Sequence, residues 1–202
     1  MKKMISLFIA LVVLPLSLHA AEYKEGVHYT VVKQTATEQP EVLEFFSYYC
    51  PHCKKFEPLM EALTHKLDKS VNVKKSHVNF MGGDSGALLT RALAAAQLLG
   101  VEKEFTSIAF DALQVQRKAI NTESDIIALL KQAGVSEKEA KSAMENFVVA
   151  GNASKMDQDF KKFQIRGVPT LIVNGKYQVN TSSVKNIDEF IDLVTYLTEK
   201  KD

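Results

Sequence analysis

Cys50 and Cys53 are the two cysteines of this 202-residue chain, and they stand close together in "SYYCPHCKKF", residues 47–56. A thiol pair at this spacing can close a structural staple, supply half of a zinc site, or cycle between dithiol and disulfide. A staple across so short a loop constrains little of the unfolded chain, and small secreted domains that need stapling carry several bridges. Zinc needs further ligands. His65 or His77 could in principle complete a set, but no second pair stands at zinc-finger spacing, and zinc gives no reason for Pro51. Lys54 after Cys53 rules out the CxxCH of haem attachment. The redox reading uses the whole stretch. With Cys50 at a helix N-cap, Pro51 takes the first helical position, where a missing N–H loses no bond. The N–H groups of His52 and Cys53 then converge on the Cys50 sulfur, together with the positive end of the helix dipole. Such a site stabilises a thiolate on Cys50. Cys53, one turn inside, is predicted to be more buried and to stay a thiol when reduced. Cys50 is therefore the sulfur that reacts first, and Cys53 the one that resolves. His52 adds a partly cationic ring and one more potential donor beside Cys50.

The elements that must hold this geometry follow from the patterning. Residues 1–20, with "MKK", an apolar run and "HAA", read as a secretory signal peptide cleaved after Ala20. The apolar run is short for a membrane span and no basic stop-transfer flank follows. Export places the thiols where disulfides can persist. Charge is nearly balanced, 25 Lys and Arg against 24 Asp and Glu, and no polybasic tract points to nucleic acid. In the remaining chain, 28–33 alternates as a short strand and 41–49 reads as a central strand buried on both faces. A helix is predicted from the cysteines onward, with Phe56, Leu59 or Met60, Leu63 and Leu67 at helical spacing and a kink at Pro58. Residues 71–80 read as the next strand. From Asp84 to Gly151 the pattern is helix after helix. These are a segment ending at Gly100, a second over about 102–116, a third ending at Gly134, and a fourth opening on a Ser136–Glu139 capping box and closing at Gly151. A helix near 153–163 follows. "TLIV" and "KYQV" then flank Asn174-Gly175, a hairpin signal, and 186–200 closes the chain as an amphipathic helix. The order predicts one α/β domain with a helical insertion.

"RGVPT", 166–170, is the second chemical signal. A Val-Pro before a strand, in a chain with CxxC at a helix start, is predicted to be cis. Val168 would then offer its backbone groups to an extended peptide as a strand-like edge.

Residues 41–58, "HVNFMGGD" (77–84) and "RGVPTLIVNGKYQV" (166–179) resemble the DsbA family of thiol:disulfide oxidoreductases of Gram-negative periplasms. The resemblance implies a thioredoxin fold with an inserted all-helical domain: thioredoxin-like parts at 21–83 and 152–202, and the insertion at 84–151. It implies a catalytic Cys50-Pro51-His52-Cys53 motif whose disulfide is the redox group, with no metal and no separate cofactor. It implies substrate contact at Val168 and Pro169, and a proton relay through Glu44 and Lys75. The implied substrates are unfolded or newly exported cysteine-containing proteins, and the implied reoxidant is a DsbB-type membrane quinone reductase. Isomerases of this fold usually carry a dimerisation domain. No such segment precedes "EVLEFF", so a monomer is expected. Two other readings stay open. One is a reductase or isomerase of the same fold. The other is a non-enzymatic peptide-binding chaperone module, which would not need Cys50, so Cys50→Ser separates it from an enzyme. Lys54 and Lys55 make the motif's flank more basic than in the best-known members, the 180–186 segment is short, and the chain has no tryptophan.

Overall fold

A computed structural model describes residues 23–200; the signal-peptide reading and the Ala20 cleavage site lie outside them. The strands are β1 (Tyr29–Val31), β2 (Glu41–Phe46), β3 (Asn72–His77), β4 (Thr170–Val173) and β5 (Tyr177–Val179). They form one five-stranded sheet in the order β1-β5-β4-β2-β3. β2 is central, parallel to β3 and antiparallel to β4. Its side chains alternate across the sheet. Val42 faces a core with Met60, Leu63, Phe190, Leu193, Val194 and Leu197, while Leu43 and Phe45 face a second core with Phe163, Ile165 and Ile172. This is why the strand reads as an unbroken apolar run. The β4–β5 turn places Asn174 and Gly175 at φ 51° and 65°, the left-handed pair that the dipeptide favours.

α1 (Pro51–Lys66) follows β2, and α7 (Ile187–Glu199) packs beside it. Between β3 and β4 lie α2 (Asp84–Leu98), α3 (Glu102–Phe110), a π-turn (Asp111–Val115), α4 (Glu123–Gln132), α5 (Glu137–Glu145) and α6 (Phe147–Lys162). α4 and α5 both start on complete capping boxes, Thr122 with Asp125 and Ser136 with Glu139. The helical core continues into the redox stretch: Phe46, Tyr48, Cys50 and Cys53 belong to the same buried cluster as Leu89, Leu93, Phe105, Phe110 and Met144. The architecture is that of a thioredoxin fold with a helical insertion.

Four sequence expectations need correction. The strand predicted over 41–49 stops at Phe46, because Cys50 N turns back to Ser47 O at 3.0 Å to enter α1. The strand predicted over 71–80 spans only Asn72–His77. The helix predicted over 102–116 becomes α3 and the π-turn. The helix predicted to close at Gly151 breaks earlier, at Asn146, whose extended backbone ends α5 and whose side chain accepts from Val148 N at 2.8 Å to start α6. Gly151 is therefore mid-helix, and the 151/152 limit of the insertion falls inside α6. Pro58 likewise lies within α1, which continues through it to Lys66.

Candidate active site

The CPHC stretch takes the predicted local form. Cys50 is the N-cap of α1, Pro51 occupies the first turn, and the Cys50 Sγ accepts from Cys53 N at 3.1 Å. Pro51 and His52 are exposed, and the His52 ring makes no hydrogen bond among the described residues. Cys53 is wholly buried. Burial pushes its thiol well above the ordinary range, reinforced by the hydrogen bond to Cys50 and the charge of Glu44, while a backbone bond from Ser47 opposes the shift. Both cysteines are free thiols in the structure. The two sulfurs are thus unequal, one receiving a helix N–H and the other enclosed in apolar surroundings.

The Val168–Pro169 peptide bond is cis. The loop that carries it faces the motif, and the Cys50 thiol donates to Val168 O at 3.4 Å. Residues 118 positions apart in sequence therefore meet at one sulfur.

Beside α1, the parallel register pairs Glu44 on β2 with Lys75 on the edge strand β3. Lys75 Nζ donates to Glu44 Oε2 and to Glu57 Oε1, both at 2.6 Å, and lies 4.7 Å from the centre of the Phe46 ring. Glu44 is fully buried, and its Oε1 has no hydrogen-bond partner. Burial raises the Glu44 carboxyl even though Lys75 pulls the other way. For Lys75 burial works against the ammonium, but Glu44 and Glu57 more than offset it, so the lysine holds its proton more tightly than usual. Glu102 on α3 is also raised, chiefly by burial. These groups line a cleft of about 610 Å³ between α1, β3 and α3, walled by Pro58, Met60, Val73 and Phe110.

Glu44 and Lys75 are expected from the resemblance; Glu57 is not, and its signal in the sequence is its place one turn after Cys53 on the same helix. The polar contacts that hold the loop from Ser47 to Cys50 are likewise not expected from the sequence. Tyr48 is wholly buried, with its hydroxyl 3.2 Å from Thr106 Oγ1. Its N–H donates to His77 Nε2 at 3.2 Å, and the His77 ring stacks on it. His77 Nδ1 meets Thr90 Oγ1 at 2.8 Å, so both ring nitrogens are engaged within the fold. Burial lowers the His77 pKa to about 3. His65, the other histidine weighed for zinc, is on the outer face of α1, 4.0 Å from Glu61. No group of three or more His, Cys, Asp or Glu side chains among the described residues is placed to hold a metal ion.

A thioredoxin-type sheet, a CxxC at the start of its first long helix and a cis-proline loop against the outer sulfur define a thiol:disulfide oxidoreductase. Comparison with known proteins narrows this. Residues 41–192 match the model of the DSBA-like thioredoxin domain family. The chain is 40% identical to the thiol:disulfide interchange protein DsbA of Escherichia coli strain K12, with 98% of this chain and 100% of the relative covered. It is 30% identical to the DsbA of Buchnera aphidicola over 99% of both chains. The crystal structure of DsbA from Proteus mirabilis matches with a TM-score of 0.81 at 30% identity, covering 89% of this chain and 98% of that one. The Proteus mirabilis protein has also been solved with a non-covalently bound peptide, PWATCDS, again with a TM-score of 0.81, at 30% identity and with 89% of this chain and 100% of that one covered. The chain belongs to the DSBA-like thioredoxin domain family.

Proposed function

We propose that the protein works as an oxidase in the periplasm, reached by cleavage of its leader after Ala20, and that it donates a Cys50–Cys53 disulfide to newly exported or unfolded polypeptides. A substrate thiolate attacks the Cys50 sulfur, the Cys50–Cys53 bond breaks, and Cys53 leaves with the electron pair and takes up a proton. The second substrate thiolate then attacks the substrate sulfur of the mixed disulfide, and Cys50 leaves as a thiolate. The substrate loses two electrons and two protons, one taken up by Cys53 and one released to solvent, and the protein ends reduced, with Cys50 a thiolate and Cys53 a thiol. A DsbB-type membrane quinone reductase returns it to the disulfide. In this scheme Glu44 and Lys75 relay the proton that Cys53 needs, the exposed His52 ring favours the departing Cys50 thiolate, and Val168, ahead of Pro169, pairs with the substrate backbone. The protein acts as a monomer, and the disulfide is its only redox group.

The observation that carries this reading is the inequality of the sulfurs: Cys50 at the N-terminus of α1 accepting the Cys53 N–H, and Cys53 buried with its thiol pushed up. The N–H donation and helix N-terminus at Cys50 favour its reduced form, which makes the disulfide easy to give away, while Cys53 is kept as the enclosed thiol. The test is the equilibrium with glutathione. A donor stays largely dithiol even in a buffer rich in oxidised glutathione. A pair that stays disulfide in mostly reduced glutathione would make the protein a reductase.

A further inference from the structure

The loop between β2 and α1 has each of its backbone N–H groups from Tyr48 to Cys50 drawn to a partner. Cys50 N bonds Ser47 O, and Tyr49 N bonds Ser47 Oγ at 3.2 Å. Tyr48 N bonds His77 of β3. The carbonyls of Tyr48 and Cys50 are both met by one side chain from the helical insertion. Gln114 Nε2 donates to Tyr48 O at 2.8 Å and to Cys50 O at 3.1 Å. Cys50 O is also the first acceptor of α1, from Lys54 N at 3.2 Å. Its direction is thus tied to the N-cap conformation, φ −93° and ψ 111°, that brings the sulfur to Cys53 N.

Gln114 reaches this position because α3 does not continue as an α-helix. Gln116 N bonds Asp111 O at 3.0 Å, an i to i+5 bond, and Lys118 N bonds Ala112 O. A π-turn takes up one extra residue and re-aims the side chains on it, a device common at functional sites. Phe110, just before the turn, and Ala112 within it are buried in the core that also contains Cys50 and Cys53.

We infer that Gln114 is a positioning residue for thiol–disulfide exchange: from the π-turn it clamps the Tyr48 and Cys50 carbonyls and so fixes the N-cap geometry of the reactive sulfur. It bonds the loop carbonyls and neither sulfur. The helical insertion thereby takes part in setting the redox equilibrium, in addition to covering the site. The inference holds whichever way electrons flow in the cell.

The test compares the full chain with Gln114→Met and Gln114→Glu. The readouts are the equilibrium constant of the Cys50–Cys53 pair with glutathione at pH 7 and the pH profile of Cys50 alkylation. Melts followed by circular dichroism establish that each variant is folded. Methionine keeps the length and removes both donors. Its equilibrium should move toward the disulfide by roughly threefold to tenfold, the size of one or two neutral hydrogen bonds, and its alkylation profile toward higher pH. Glutamate sets an acceptor against two carbonyls and should move both readouts further the same way. A methionine variant with unchanged equilibrium and profile overturns the inference, whatever its melting temperature. A shift in the glutamate variant alone also overturns it, since charge near the sulfur would suffice. Should the methionine variant fail to fold, Gln114→Ala, which opens the partly exposed site to water, carries the same expectation.

Discussion

Replacing His77 with asparagine should flatten the acid side of the stability curve. In the folded chain His77 is enclosed between β3, the Tyr48 loop and α2, accepts from Tyr48 N, meets Thr90 Oγ1, and has its pKa lowered to about 3. The unfolded histidine titrates near the ordinary value of about 6.5. Between these values the unfolded chain binds one proton more than the folded one, so stability falls as the pH drops. The contribution is fully present above the unfolded pKa and is lost as pH falls toward the folded one. At pH 5 the folded histidine is still neutral, so the loss depends on the unfolded value alone: about 1.5 units at about 1.4 kcal/mol each, or about 2 kcal/mol. Carried down to the folded value it approaches about 5 kcal/mol, a large share of the stability of an ordinary domain. Asparagine gives up the stacking on Tyr48 and some packing, which costs about 1–3 kcal/mol at every pH, but it does not titrate. The assay is urea melts at pH 7 and pH 5 on wild type and His77→Asn. They are followed by circular dichroism because the chain has no tryptophan. Carboxylate titration is common to both proteins and drops out of the difference. Wild type should lose about 2 kcal/mol more than the variant between the two pH values. Curves that stay parallel across this interval would refute the reasoning, because His77 would then titrate alike in both states.

Lys75→Met strands the buried Glu44 carboxylate and should cost about 3–5 kcal/mol at neutral pH, more than Glu44→Gln. With the Glu44 pKa raised further, the deficit should shrink on acidification and grow as pH rises, as urea melts at both ends of the range would show. Gly82→Ala sets a Cβ 2.2 Å from the Tyr49 ring at φ +87°. A clear fall in melting temperature is expected. Gly151→Ala should instead stabilise by about 0.5–1 kcal/mol, because the residue is mid-helix with nothing within 4 Å of the added carbon; destabilisation would restore a helix end there. Cys53→Ala should accumulate mixed disulfides through Cys50, while Cys50→Ala should leave the buried Cys53 slow to alkylate at neutral pH, both read by mass spectrometry.

The features legible in the sequence are those whose cause is local. Pro51 and Cys50 announce a helix start within four residues, Asn174-Gly175 a hairpin turn, and Ser136 with Glu139 a capped helix, because each signal depends on backbone groups three or four positions away. The unbroken apolar run of β2 reports two covered faces without saying what covers them. Gly151 resembles a helix end, yet Asn146 provides the break, since an N-cap side chain satisfies a free N–H while a glycine only permits a turn. Tertiary structure alone decided the rest. Glu44 and Lys75 meet through a parallel register between strands joined by α1, and Glu57 joins them from that helix. His77 and Gln114 reach the Cys50 loop from β3 and from a π-turn in the insertion. Such contacts join residues far apart in the chain, and their energy arises only after packing excludes water. No short window of sequence contains both the group and the partner that makes its burial tolerable.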